Sequence, residues 1–579
     1  EIKQKDSQLK IAKHKIFSAR RPATKEKWRK EVVRLRQEIA DLLLDKDCIG
    51  NEQAAQLAQW DMFDQNSFAP FFDPEWMFGV KEGFDILIAN PPYISTKGVS
   101  TADKKLFEAE FGFSDDTYNL FFFKGFSLLC KGGCITYITP KTFWTTQTKR
   151  SLRDLLLANT LNYVFDTANP FEAVMVDTCI TSAVKNKPAA DNLVRFMDGR
   201  KNLSQPECLI VAQSVYLNTQ NSVIFKPSAL NMRIYELYGE KVKALYDKWW
   251  DKIKTSRDIE KNKRELEEYR ASLKPGDVAL LGCLTEGGQG LATANNGKYI
   301  AVRSTTKWAD NIRMSRPKKL ADFLARTPKA ITAEMYRYPS YAAFLQSLSE
   351  AEIAGLFDSL KEQYGRDIFG QGYLYKIVDD CEIANVDSLT DDEKENGIET
   401  TKPYYVPYDK GDKDGNRWYL ETPFAIAWSK ENVRFLKTDP KARYQGYTFY
   451  FREGFCWIDV NSTYLKARIK ANGVFDVLSM SLFTMTNLPD WYYVALINSE
   501  FISLYVDNFI NNTSHFQIND ARQLPIIIPQ KETFESLQKL VTGCISLKKA
   551  TTTDNFLMGE KQYELDRLVR SLYGVEDFY

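Results

Sequence analysis

Between Glu26 and Leu44 the apolar residues Val32, Val33, Leu35, Ile39, Leu42 and Leu43 return at helix-like intervals among Lys, Arg and Glu. That spacing predicts an amphipathic helix packed on a neighbour. Farther along, Phe84-Asp85-Ile86-Leu87-Ile88-Ala89 is an apolar run of strand length, stopped by Asn90-Pro91-Pro92-Tyr93. Two prolines cannot continue a ladder, so the tetrapeptide is expected at the C-terminal end of a buried strand, where open α/β sheets bind ligands. Tyr118, Leu120, Phe121, Phe122, Phe126 and Leu129 then mark a helix over Asp116–Lys131, which Gly132-Gly133 stops. A strand over Cys134–Thr139, a helix over Thr145–Leu157 and strands over Leu161–Asp166 and Asp177–Val184 follow. Strands alternating with helices predict a mostly parallel sheet.

Beyond about Pro206 the pattern changes. Arg233–Leu273 reads as charged and helical, with Trp249-Trp250 inside it, and leads through Pro275-Gly276 to a small-residue loop over Gly287–Gly297. Pro403–Asp459 interleaves aromatic and basic residues, among them Tyr404, Tyr405, Lys410, Lys413, Arg417, Trp418, Tyr419, Arg443 and Arg452. Trp491–Tyr505 reads as a helix, followed by Asn511-Asn512-Thr513-Ser514-His515-Phe516 and the run Leu524-Pro525-Ile526-Ile527-Ile528-Pro529. Thr533–Leu547 and Phe556–Leu572 read as closing helices.

Composition narrows the class. The chain has 579 residues, too many for one core, and about one domain per 100–200 residues suggests three or more. Hydrophobic content of 44% and charged content of 26% are those of a folded globular protein. No apolar run reaches membrane-spanning length and no signal-like segment opens the chain, so a cytoplasmic protein with no membrane partner is expected. Nine cysteines form no CxxC pair and only two histidines are present, which argues against structural zinc and a disulfide framework. Lys+Arg and Asp+Glu nearly cancel, 77 against 76, so any polyanion partner must be argued locally. The basic run around Arg20, Arg21, Lys25, Lys27, Arg29 and Lys30 fits a solvated helix face as well as a DNA contact. The chain opens at Glu1, inside helical sequence, and reads as a fragment.

Phe84–Tyr93 resembles the catalytic motif of amino-methyltransferases, and the run from Asp61 through Trp76-Met77-Phe78-Gly79 to Asn90-Pro91-Pro92-Tyr93 is similar to type IIG restriction–modification adenine methylases, while the Gly287–Gly297 loop resembles the start of the target-recognition region in those methylases and in BREX-type phage-defence methyltransferases. Tyr118-Asn119-Leu120-Phe121, Gly132-Gly133, Pro140 and Asn169-Pro170-Phe171 fit the same pattern, and the segment Phe475–Pro529 resembles the end of a TaqI-type specificity domain. The resemblance implies an α/β fold: a partial Rossmann-like methyltransferase sheet plus an α+β target-recognition region with a helical insertion. The expected divisions are a helical segment at 1–60, the catalytic half at 61–200, the recognition region at 201–532 with insertions near 231–275 and 310–365, and C-terminal helices at 533–579.

The implied reaction is methyl transfer from S-adenosylmethionine to adenine N6 in double-stranded DNA. That amine is a poor nucleophile because its lone pair is delocalised into the ring, and it is reached only when the base is extruded. By resemblance, the Asn90 side-chain carbonyl and the Pro91 backbone carbonyl accept the two amine hydrogens, Pro92 stiffens the loop, Tyr93 stacks on the flipped ring, and no metal is required. Phe171 is implied as the opposite wall of the base pocket; a core phenylalanine at a strand entrance is the alternative. For DNA contacts, Gln289, Thr293 and Asn295 in the glycine-rich loop are side chains suited to base edges or phosphates, Arg417, Trp418 and Arg443 belong to the interleaved aromatic and basic stretch suited to gripping phosphate and sugar, and Asn512, Thr513 and Ser514 lie in the segment that resembles a specificity domain. A ligand-free turn and a plain β core are the alternatives.

One departure stands out. The glycine-rich turn that approaches S-adenosylmethionine is expected before the catalytic loop, and nothing between Glu1 and Gly83 matches it. The cofactor-binding strands are therefore expected on an N-terminal portion outside this chain or on a partner subunit, and the isolated chain is expected to be inactive. A nuclease site, with clustered carboxylates and a lysine, is likewise not legible and is placed upstream. Two rival readings remain: a non-catalytic DNA-binding specificity fragment, and a protein-glutamine methyltransferase, which uses a similar loop on an amide nitrogen.

Overall fold

The structure, a computed structural model, describes residues 1–46, 50–60, 72–171, 176–255, 259–370, 373, 375–412, 415–460, 464–470, 472–550 and 556–578. Asp61, where the resemblance begins, and Lys413 lie outside them. The chain forms two compact units, one of Glu1–Lys141 with Asp154–Gln213, the other of Thr142–Arg153 with Ser214–Tyr579.

The first unit opens with helices Ile2–Ser18 and Pro22–Asp45, the second containing the helix expected from its periodicity. They pack through Leu9, Ala12, Ile16, Val32, Leu35 and Ile39. The same unit holds, among the described residues, a six-stranded sheet: β1 (Phe84–Ala89), β2 (Leu129–Pro140), β3 (Thr160–Ala168), β4 (Thr178–Val184), β5 (Leu193–Asp198) and β6 (Glu207–Ala212), in the order β1-β2-β4-β3-β5-β6. β1 is parallel to β2 and β3 to β5, while β4 runs against both β2 and β3, and β6 against β5. The expectation of a mostly parallel sheet thus holds for the direction of β1, β2, β3 and β5 but not for the ladders between neighbours. The stretch between Ala168 and Thr178 is shorter than the dozen or so residues a parallel crossover needs, so β4 returns antiparallel beside β3.

Two further expectations are corrected. β1 is not buried: it lies at the sheet edge, with Ile86 65% and Ile88 77% exposed. Ile86 and Ile88, two residues apart, project from the same face of the strand, and among the described residues that face is left uncovered. Gly132-Gly133 does not end the helix either, since helix Thr117–Leu128 gives way to β2 at Leu129 and the glycines lie within the strand. They sit where the β1–β2 register shifts; Gly132 has φ +81°, and a Cβ on Gly133 would lie 2.7 Å from the Phe84 carbonyl oxygen. The helix lies on β2 through Phe122 and Tyr137, ring centroids 5.0 Å apart. Gly125 permits the close approach, because a Cβ there would meet Ile135 at 2.6 Å.

The second unit holds a five-stranded sheet, a four-stranded sheet and a two-stranded ribbon. Its main core gathers Val406, Tyr408, Trp428, Phe475 and Phe483, and the helices Lys307–Arg326, Tyr341–Ser347 and Glu350–Tyr364 enclose a separate core around Leu320, Leu324, Phe344 and Phe357. The helix expected over Trp491–Tyr505 is two helices, Asp490–Ile497 and Glu500–Phe509. The break falls at Asn498, whose amide pairs with both backbone groups of Ala467 (2.8 and 2.9 Å), and at Ser499, which caps the second helix by accepting from the Ile502 N–H. Helices Lys531–Ala550 and Phe556–Tyr573 occupy the expected C-terminal positions. Among the described residues no helix is long and apolar enough to cross a membrane.

Candidate active site

Asn90-Pro91-Pro92-Tyr93 leaves the C-terminal end of β1, and its conformation is held from the start of helix Thr117–Leu128. The Thr117 hydroxyl donates to the Pro92 carbonyl (2.5 Å) and accepts from the Ile94 N–H (3.1 Å), and the Thr117 N–H donates to the Ile94 carbonyl (3.0 Å). Asp116 accepts from the backbone N–H and the hydroxyl of Thr96 at 2.8 and 3.0 Å. Tyr93 donates its phenolic hydrogen to the Ile138 carbonyl (3.1 Å), which lays the ring beside the end of β2. Burial, with the neighbouring Cys179 thiol, raises the Tyr93 phenol above its ordinary pKa, so at neutral pH it stays a donor. Pro92 and Tyr93 are thereby engaged. Asn90 is exposed, and among the described residues neither its side chain nor the Pro91 carbonyl makes a hydrogen bond. Asn90 is exposed and Pro91 buried, so the loop is fixed in its frame while the Asn90 side chain stands open to an N–H donor from outside.

Phe171 follows β3, whose C-terminal end lies on the same side of the sheet as that of β1. Three strand spacings, about 14 Å at the usual separation, lie between β1 and β3 in the sheet order. A facing wall for Tyr93 thus requires the connection after β3 to reach back across the sheet. Phe171 is half-buried and its N–H donates to Asn169 Oδ1 at 3.2 Å. Lys141 ties the far end of that connection to β2: its N–H donates to the Asp177 carbonyl (3.1 Å) and its ammonium pairs with Asp177 (2.8 Å) and Asp166 (3.3 Å). Burial works against the Lys141 charge, but the two carboxylates outweigh it and raise its pKa. Thr117 and Lys141 were not singled out from the sequence. The polar Asp115-Asp116-Thr117 cluster ahead of an apolar helix was the legible sign of the first; nothing local marked the second.

Residues 2–171 match the Eco57I restriction-modification methylase family. The resemblance read from Phe84–Tyr93 is borne out at that level. No curated protein matches the chain in sequence. Among solved structures, the type IIL restriction-modification enzyme MmeI in complex with DNA is 11% identical over 85% of this chain and 54% of its own, with a TM-score of 0.41. The type IIG restriction endonuclease BpuSI is 14% identical over the same shares, 85% and 54%, with a TM-score of 0.23. A type I restriction-modification methyltransferase subunit from Streptococcus thermophilus is 17% identical over 24% of this chain and 30% of that one, with a TM-score of 0.18. The chain spans about half the length of MmeI and of BpuSI.

Outside the methylase match, the candidates for DNA contact separate into three places. Gln289 and Arg443 are exposed and their segments meet, since Ala292 and Arg443 exchange backbone hydrogen bonds at 3.1 and 2.9 Å. Gly446 allows this approach: with φ +70°, it would place a Cβ 2.8 Å from the Gln289 carbonyl oxygen. Thr293 is a correction, being 2% exposed with its hydroxyl on Asn296 Oδ1 (2.6 Å), and Asn295 accepts from Arg366 (2.7 Å). Trp418 is also corrected: 1% exposed, it packs as core with φ +71° and offers no face to a ligand. Arg417 beside it donates to Gln562 Oε1 (2.7 Å). In the third place, the Asn512 N–H donates to the Thr145 hydroxyl (2.8 Å) and Thr513 caps back onto Asn511 (2.7 Å), leaving Ser514 exposed.

Proposed function

We propose that this chain carries the amine-binding half of a restriction–modification DNA methyltransferase that methylates adenine N6 from S-adenosylmethionine, with a target-recognition region at 201–532 that binds double-stranded DNA. The observation that carries the reading is the loop Asn90–Tyr93, held through Pro92 and Tyr93 while, among the described residues, neither the exposed Asn90 side chain nor the carbonyl of the buried Pro91 makes a hydrogen bond. An extruded adenine presents two N6 hydrogens. Asn90 Oδ1 and the Pro91 carbonyl take one each, which draws the amine nitrogen toward a tetrahedral geometry and returns its lone pair from the ring. Tyr93 bears on the face of the base, and Phe171 closes the pocket from the connection after β3. S-adenosylmethionine, when bound, supplies an electrophilic methyl group.

The strand order β1-β2-β4-β3, with β4 reversed, supports the reading of the first unit as part of a Rossmann-like methyltransferase sheet. No glycine-rich turn after a strand precedes β1 among the described residues, so the residues that hold the cofactor are not named in this chain. The bare edge of β1, with Ile86 and Ile88 exposed, supports the addition of further strands there, from the same polypeptide or a partner subunit. The same bare edge favours a second reading of the chain in isolation, as a DNA-binding specificity fragment without activity. With the cofactor-binding strands supplied, Asn90→Ala is expected to abolish adenine methylation of duplex DNA while duplex binding, followed by fluorescence anisotropy, is kept. Methylation that survives the substitution overturns the assignment.

A further inference from the structure

In the second unit, three aromatic rings form a column that runs out to the surface. Trp428 is buried at its base, Tyr444 lies over it at 6.4 Å and 17°, and Tyr447 over Tyr444 at 5.7 Å and 21°. Tyr450 meets Tyr444 edge-on, at 5.9 Å and 81°, and holds its place by donating to the Gln445 carbonyl at 2.8 Å. Tyr447 ends the column 59% exposed and lines, with Phe451, a cavity of about 510 Å³. Phe451 stands at φ +56°, a costly conformation for a bulky residue, held by the bond from its N–H to the Gly473 carbonyl (2.9 Å).

The charged residues of the cavity are mixed. Asp391 and Glu395 project from helix Asp391–Asn396, and among the described residues neither is in a salt bridge. Lys394 and Lys437 line the same cavity, and Lys437 donates to the neutral Asn396 side chain at 3.1 Å. A lone cation placed there would meet two ammonium groups, and a lone anion two carboxylates. A nucleotide satisfies both: it has a planar ring to extend the column, an amine to face carboxylates and a phosphate to face lysines.

We propose that this cavity takes a single unpaired nucleobase bearing an exocyclic amine, stacked on Tyr447, with the amine toward Asp391 and Glu395 and its phosphate toward Lys437. The inference rests on the DNA-binding reading above and adds to it a second base site, in the recognition region and apart from Asn90–Tyr93. Arg443, next to Tyr444 in sequence, exchanges backbone hydrogen bonds with Ala292 and so joins the cavity wall to the Gln289 loop.

The test uses the 579-residue chain and labelled duplexes, one fully paired, one with a bulged adenine, one with a bulged thymine and one with an abasic bulge, in anisotropy titrations. The adenine bulge is expected to bind more tightly than the thymine or abasic bulge. Tyr447→Ala, at an exposed ring, is expected to weaken the adenine bulge by about 5- to 150-fold, the range for loss of one stacked base, and Tyr447→Phe to retain it. Glu395→Gln is expected to narrow the preference for adenine over thymine. Binding of paired duplex with no preference among the bulges, or with Tyr447→Ala unchanged, overturns the base site and leaves the DNA reading standing. Displacement of the bulged probe by trimethyllysine peptide overturns it in favour of a cation site. Failure to bind any of the duplexes overturns both.

Discussion

Thr117 offers the sharpest test of how the loop is held, because one hydroxyl serves both sides of it. Its oxygen accepts from the Ile94 N–H at 3.1 Å while its hydrogen goes to the Pro92 carbonyl at 2.5 Å. Thr117→Val keeps the shape of the side chain and removes both bonds. A net value of about 0.5–1.5 kcal/mol for each gives a loss of about 1–3 kcal/mol. If that loss appears as freedom of the loop, it translates into a fall in methyl transfer of about 5- to 150-fold at about 1.4 kcal/mol per tenfold. On the proposed reading the fall is expected in kcat, because Asn90 and the Pro91 carbonyl would have to be aligned when the amine changes geometry, whereas the proposed DNA-binding region at 201–532 is untouched. Single-turnover methylation with the cofactor-binding strands supplied, beside anisotropy on the same duplex, separates the two effects. Thr117→Ser keeps the hydroxyl and is expected to stay close to the parent. Unchanged single-turnover rates for Thr117→Val would refute the argument that these bonds organise the loop.

Two further expectations concern the second unit. Gly290→Ala would overlap the carbonyl oxygen of Phe475, and such overpacking is expected to cost about 1–3 kcal/mol in urea unfolding while weakening the seat of the Gln289 loop; unaltered stability would count against the close approach. Burial raises the Asp490 carboxyl from its ordinary 3.8 to about 7, with Glu453 adding to the shift and the Thr484 N–H opposing it. Its folded value lies above the unfolded one, so the folded state holds the extra proton between those values, and the stability this confers is full below the lower value and lost as pH rises through about 7. Asp490→Asn is expected to be more stable than the parent above neutral pH, with the gap closing as pH falls, in urea melts taken across that window; a gap independent of pH would refute the assignment.

Much of the first unit around Asn90–Tyr93 was legible because its signals are local. An apolar run meeting two prolines ends a strand whatever surrounds it, and helix periodicity places the apolar stripe of Pro22–Asp45 and the face of Thr117–Leu128. What misled was the inference from apolar to covered. Ile86 and Ile88 look like core residues, yet burial depends on what packs over the face from which they project, and among the described residues that face of β1 is uncovered. Gly132-Gly133 read as a stop because glycine ends helices, whereas here it accommodates a shift in register.

Side chains outside the loop show the same division. Trp418 and Arg417 are adjacent in a basic, aromatic stretch, and no sequence rule separates the one that packs as core from the one that reaches Gln562. Thr293 carries a hydroxyl suited to a base edge, but it is spent on Asn296. The sequence by itself determined the element types, the position of the Asn90–Tyr93 tetrapeptide at a strand end and the apolar faces of the helices, because these follow from neighbours within a few residues. Only the tertiary structure decided that Thr117 and Lys141 secure the two loops, that β4 turns back between β2 and β3, and that Trp428, Tyr444 and Tyr447 stack into one column. Those outcomes depend on groups far apart in sequence meeting at a few ångströms, and periodicity carries no record of such meetings.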